Sequence, residues 1–278
     1  PCTALRELRN LLSLKRRLKR QEHGLRVRIR NTLIAQNFPE LDKYFGSAEK
    51  QVLGIVQWCL DPSVIAGMEF VDFAALLGPG LRTTAQRQRI ERIWQLSVDS
   101  VGCEGGEALQ FEGKILVQGL KQVREAIEAT EDKIEQICLQ FPEYSYLLSI
   151  PGFGPSVASI VLGAIGNPFR FDNAKQVLKM SGLDLSAHRS GKSSQRAVPV
   201  ISKKGKAHLR YALYQAALIA SIRNQHFMVY FTERLKGREK EQGIKTKMRV
   251  KLAVKMLIIA WTLMKKKEPF DPSYLNRE

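Results

Sequence analysis

The sequence predicts a mostly α fold: a long helical coiled-coil region, then a helical domain with a helix–hairpin–helix motif and a short β segment. Three observations predict it. Apolar residues recur at spacings of three and four over most of the chain. Strand patterns are scarce, with β character confined to Ala197–Ile201. Proline and glycine cluster at a few steps, chiefly Asp61-Pro62, Gly78-Pro79-Gly80 and Pro151–Pro155, and cut the helical pattern into pieces.

The first segment, Ala4 to about Gln36, places Leu8, Leu11, Leu18, Leu25, Ile29 and Leu33 among many arginines. Gly24 is its weak point, and the Phe38-Pro39-Glu40 step ends it. Residues 41–104 read as short helices, one capped by Asp61 or Ser63 and another by Thr83 or Thr84. No chemistry is visible there. A second long helix follows, in which Leu116, Leu120, Val123, Ile127, Thr130, Ile134, Ile137 and Phe141 form a heptad seam flanked by charge. The two long helices can pair with each other or make a homo-oligomer through the coiled coil; an amphipathic helix on its own core has the same pattern. After Glu143 the composition turns basic and glycine-punctuated, so the boundary is placed at Pro142, giving a helical region over 1–141 and a second domain over 142–278.

Charge narrows the partners. The chain carries a formal net charge of +17 over 278 residues. Lys and Arg outnumber acids ten to two over residues 1–35 and twenty-four to eight over 145–278, whereas acids prevail, seventeen to ten, between them. Such segregation points to a polyanion, because neutralised phosphates release condensed counterions. No apolar run is long enough to span a bilayer; the stretch near Leu252–Met264 is interrupted by Lys255. No secretory signal opens the chain. The four cysteines form no CxxC pair and have no histidine at ligand spacing, so neither a zinc site nor a disulfide framework is expected, and reduced thiols suit a cytoplasmic protein.

The run Leu147–Ala158 resembles a helix–hairpin–helix DNA-binding motif. Ile150 and Phe153 are apolar anchors, Gly152 and Gly154 permit a tight turn, and Pro155 suits the first position of the following helix. Amides at that helix start, with Ser156 beside them, can face a phosphate oxygen aided by the helix dipole. Such contacts position DNA without reading it. A plain elbow within a core has the same glycines.

Downstream lie Phe169-Arg-Phe-Asp172, a short helix over Ala174–Met180, and a polar loop with His188, Arg189, Ser190, Gly191, Lys192, Ser193, Ser194 and Arg196. Ser202 is a plausible N-cap for the next helix, which Lys203, Lys204, Lys206, His208 and Arg210 crowd at its start. Positive charge there opposes the dipole unless a phosphate is present. Leu209, Leu213, Ala216, Ala217 and Ile219, then Val250, Val254, Leu257 and Trp261, read as core. Lys245, Lys247, Arg249, Lys251 and Lys255 suit a nucleic-acid backbone.

In their order, the Ile-Pro-Gly-Phe-Gly-Pro run, Ile165-Gly-Asn-Pro-Phe-Arg-Phe171, the Gly182-Leu183 and Ser190-Gly191 pairs, Ile201–Leu213 and Glu268-Pro-Phe-Asp-Pro-Ser273 resemble the "one-ten" family of bacterial insertion-sequence transposases. The likeness is strong over about 140–275 and looser before it. This resemblance implies a DEDD-type, bridge-RNA-guided recombinase with an N-terminal RuvC-like domain, a coiled coil and a helical transposase domain. It implies DNA as substrate, a guide RNA as partner, and strand cleavage and rejoining through a covalent phosphoserine. The serine of the Ser-Gly pair, here Ser190, takes the nucleophile's role, with Arg189, Lys192 and Arg196 near enough in sequence to hold the scissile phosphate. The acidic residues that bind magnesium in the RuvC-like domain have no counterpart here, so no cofactor is expected in this chain and the polypeptide alone is expected to be inactive. The alternative from another class is a non-enzymatic helix–hairpin–helix DNA-binding protein, whose binding would not depend on Ser190.

Overall fold

The computed structural model describes residues 3–77, 83–186 and 200–275. They are overwhelmingly helical, and the chain divides into two compact units, Leu14–Thr130 and Pro1–Ser13 with Glu131–Glu278. The compositional boundary at Pro142 falls inside the latter.

In Leu14–Thr130, parts of α1 (Thr3–Arg28) and α7 (Glu107–Cys138) lie antiparallel. Arg28 donates to Glu112 at 2.7 Å, a Cβ on Gly119 would sit 3.8 Å from Leu25, and Arg124 donates to Glu22 at 3.0 Å. Arg124 also reaches Glu49 at 2.9 Å. The two acceptors hold the Arg124 guanidinium in its charged form against the cost of burial, so its pKa rises. Gly24 does not break α1, which continues past it and then loosens into a π-helical stretch, Ile29–Ile34, leading to α2 (Ala35–Asn37). A 3-10 turn, Pro39–Tyr44, leads to α3 (Glu49–Trp58), α4 (Pro62–Ala66), α5 (Phe70–Leu76) and α6 (Thr84–Val98). Asp61 caps α4 by accepting from the Ser63 amide, and Thr83 caps α6 in a reciprocal box with Gln86. The core gathers Ile29, Leu33, Phe38, Ile55, Phe73, Ile93, Val117 and Leu120. Of the heptad positions here, Leu120, Val123, Ile127 and Thr130 are buried within the chain.

The other unit is built around α9 (Pro155–Ile165), in which every residue from Ala158 to Ile165 is buried. Each fully buried branched side chain contributes roughly 1.5–3 kcal/mol. Against α9 pack α8 (Pro142–Leu148), α11 (Ala207–Arg223) and α13 (Ile244–Lys266), and Leu5, Leu8, Ile134 and Cys138 join the same core. α10 (Ala174–Ser181) leads to β1 (Leu185–Ser186), which pairs antiparallel with β2 (Val200–Ile201), Leu185 opposite Ile201. α12 (Gln225–Leu235) joins α11 to α13, and a 3-10 turn, Pro272–Leu275, follows.

Two local expectations are corrected. Ser202 does not cap α11: its hydroxyl donates to Asp184 at 2.5 Å, and the helix starts only at Ala207 with Lys206 as N-cap. Ile219 is not core but 48% exposed, because α11 is apolar on more than one face and spacing alone cannot say which is covered. Leu209, Leu213, Ala216 and Ala217 are buried as expected.

Candidate nucleic-acid interface

The turn between α8 and α9 is held from several sides. Ile150 and Phe153 are buried, and the Phe153 amide donates to the Ile150 carbonyl at 2.9 Å. Ser149 Oγ accepts from the Phe270 amide at 2.8 Å, tying the turn to the segment after α13. The two glycines have different jobs. Gly152 has φ +90, and a Cβ there would fall 2.5 Å from the Ala216 carbonyl oxygen of α11, so it serves close backbone packing. Gly154 is exposed, extended at φ −92, and would meet nothing within 4 Å. It opens α9 without a side-chain cap, followed by exposed Pro155 and Ser156. The start of an 11-residue helix is thus uncapped by Gly154, with the positive end of its dipole outward.

The second group of predicted residues sits on a backbone clamp. The Lys203 amide donates to the Gly182 carbonyl at 3.0 Å, the Ser202 amide to Asp184 O at 2.8 Å, and the Lys206 amide to Met180 O at 3.2 Å. Gly182 and Gly205 approach so closely that a Cβ on Gly205 would be 2.3 Å from the Gly182 nitrogen. Lys203 is held at φ +57, a conformation costing a non-glycine residue about 1–2 kcal/mol. Lys203 and Lys204 are exposed, as is Lys206 overall although its ammonium is partly covered, whereas half-buried Arg210 spends part of its guanidinium inside, donating to Ser181 O at 2.9 Å.

Lys206 points towards the C-terminal end of α9, its ammonium 3.3 Å from Ala164 O. The hairpin turn and the Lys206 ammonium therefore lie at opposite ends of one helix, roughly 16 Å apart along its axis at 1.5 Å per residue. Arg189, Ser190, Lys192 and Arg196, with His188, lie outside the described residues; the strands preceding and following that segment are β1 and β2.

Two cations beside Lys206 escaped the sequence reading. Arg9 donates to Gly163 O at 2.7 Å and Arg170 to Ala164 O at 2.9 Å. The available signal was Gly166, at φ +61, where a Cβ would stand 2.8 Å from an Arg9 terminal nitrogen. On α13, Lys245, Lys247 and Lys251 are exposed, whereas Arg249 is half-buried over the Phe231 ring at 5.8 Å. Among the described residues no group of three or more His, Cys, Asp or Glu side chains could hold a metal ion, and no helix is long and apolar enough to cross a membrane.

The unit is thus helical and cation-rich, with an uncapped helix start and a clamped ribbon. Residues 144–232, which span the turn, the clamp and α11, match the model of the Transposase IS116/IS110/IS902 family. The pilin gene-inverting proteins of Moraxella lacunata and Moraxella bovis are each 30% identical over 153 residues, covering 53% of this chain and 46% of their own. The chain spans about half the length of these curated relatives.

Proposed function

We propose that this chain is the DNA-handling part of a guide-RNA-directed insertion-sequence transposase, with Ser190 as nucleophile. The match to a transposase family over residues 144–232 carries the reading, because it falls on both the turn and the clamp. The curated relatives, named for inverting a pilin gene, support DNA rearrangement as the outcome.

On this reading the α8–α9 turn is a helix–hairpin–helix that holds one backbone phosphate at the amides opening α9. Lys203 and Lys204 add charge beside the ribbon that leads to Ser190. The Ser190 hydroxyl attacks a backbone phosphorus in line: a serine–phosphorus bond forms, the bond to one sugar oxygen breaks, and that oxygen leaves as a hydroxyl after taking up a proton. Attack by a hydroxyl of another strand reverses the step and frees the serine. Arg189, Lys192 and Arg196 neutralise charge building on the equatorial oxygens.

The test is a covalent-trapping assay on the full-length protein with labelled donor DNA and guide RNA. Wild type yields a denaturant-resistant protein–DNA adduct; Ser190→Ala binds DNA as tightly but gives none. An adduct of equal yield from Ser190→Ala refutes the nucleophile, and salt-sensitive binding with no strand exchange by wild type favours a passive clamp.

A further inference from the structure

Three cations from separate parts of the chain converge on the last turn of α9. Arg9 comes from α1 and donates to Gly163 O, Arg170 comes from the 3-10 turn after α9, and Lys206 comes from the clamp. Arg170 and Lys206 share one acceptor, Ala164 O. Each is held in place. Gly166 leaves room for the Arg9 guanidinium, Arg170 lies over the Phe171 ring at 4.5 Å from its centroid, and the Lys206 backbone is anchored by the hydrogen bond its N–H donates to the Met180 carbonyl.

Among the described residues no carboxylate pairs with any of the three. The C-terminal end of a helix offers about half a negative charge, which one cation satisfies. Three leave about two positive charges unbalanced. Burial of its ammonium lowers the Lys206 pKa, with Arg9 and Arg170 lowering it further, and burial followed by Arg9 does the same to Arg170. Holding three like charges together costs stability that a helix cap does not require.

We propose that Arg9, Arg170 and Lys206 form a site for one backbone phosphodiester of bound nucleic acid, at the end of α9 opposite the hairpin. The inference rests on the nucleic-acid reading above. An anion there relieves the repulsion, and two guanidiniums with an ammonium match the oxygens of a phosphodiester. Arg9 lies outside the stretch matched by the family, so the chain's first helix would contribute to the contact.

The test uses the whole chain with the variants Arg9→Gln, Arg170→Gln and Lys206→Gln, a DNA duplex and an RNA duplex of the same sequence, and binding followed by fluorescence anisotropy across salt. Each variant loses affinity about three- to tenfold at fixed salt, and the slope of log affinity against log salt falls by about 0.9, as for one phosphate. The Arg9→Gln/Arg170→Gln pair loses the same single unit of slope, because the cations share one ligand. A loss on DNA names DNA as the source, and a loss on RNA alone names the guide strand. In parallel, millimolar inorganic phosphate raises the Tm of wild type and not of the paired variant. Unchanged affinity and slope on both duplexes in folded variants, or equal phosphate stabilisation of wild type and paired variant, overturns the site. Absence of nucleic-acid binding by wild type, with the phosphate effect intact, defeats the functional reading instead and leaves the anion site standing. If Arg9→Gln fails to fold, Lys206→Gln, which leaves the Arg9 bond to Gly163 in place, answers the same question.

Discussion

Replacing Gly152 by alanine separates what the turn does for packing from what it does for binding. Two costs add. The residue stands at φ +90, where an L side chain costs about 1–3 kcal/mol. Its Cβ would also stand 2.5 Å from the Ala216 carbonyl oxygen and 3.1 Å from Ala220 Cβ, both on α11. A backbone atom in mid-helix cannot swing aside, so relief means moving α8 or α11, an overpacking cost of about 1–3 kcal/mol. Together about 2–6 kcal/mol is expected, a large share of a typical net stability of roughly 5–15 kcal/mol. Gly154→Ala is the control: extended backbone and open space limit its loss to about 1 kcal/mol, the usual difference for an N-cap. Urea unfolding followed by fluorescence, with buried Trp261 as reporter in the same unit, measures both. The two variants should reverse order in DNA binding, since a methyl on Gly154 crowds the amides opening α9, and Gly154→Ala should weaken binding about three- to tenfold in a protein that remains folded. A Gly152→Ala protein within 0.5 kcal/mol of wild type, on the order of the scatter of neutral surface substitutions, would refute the packing argument.

Two further expectations follow from the same unit. Trp261→Phe removes the donor that the Pro168 carbonyl accepts from at 2.9 Å in a buried setting, so urea unfolding should show a loss of about 1–3 kcal/mol. Burial pushes the Cys138 thiol from 9.0 up to about 12, so the protonated form is favoured by folding. Its contribution, at most about 4 kcal/mol, is full below pH 9 and is lost as pH rises towards 12. Stability of wild type should therefore fall more steeply above pH 9 than that of Cys138→Ala, and at pH 8 a thiol reagent should modify exposed Cys103 while sparing Cys138.

The long helices were legible because their apolar spacing persists over many turns, and the caps at Asp61 and Thr83 because the cue and the amide that donates to it lie within three residues. Gly24 illustrates the limit of propensity: roughly 1 kcal/mol against a 26-residue helix supported by packing does not end it. Ser202 was misread for a reason of distance. Its partner Asp184 stands 18 positions earlier, so a local cue suggested a cap where the fold uses the hydroxyl elsewhere. The compositional break at Pro142 marks where charge changes, whereas compactness is set by which residues of α1 and α7 reach the α9 core. Within the candidate interface, the turn and the lysine cluster stood out as contiguous motifs. Arg9 and Arg170 did not, because one arginine among ten cations carries no mark until folding brings it beside a carbonyl 154 residues away.

The glycine-to-glycine contact of 182 and 205 has a consequence for how this scaffold diversifies. It closes the chain on itself at the foot of the β1–β2 ribbon, where backbone bonds from Ser202 and Lys203 to Asp184 and Gly182 hold the two sides together. Closing a longer loop over such a foot adds only about 0.6 kcal/mol per doubling of its length. A change of length or chemistry between residues 186 and 200 is therefore expected to leave the clamp's backbone bonds in place. Grafting the corresponding stretch from a relative and measuring urea unfolding tests this directly.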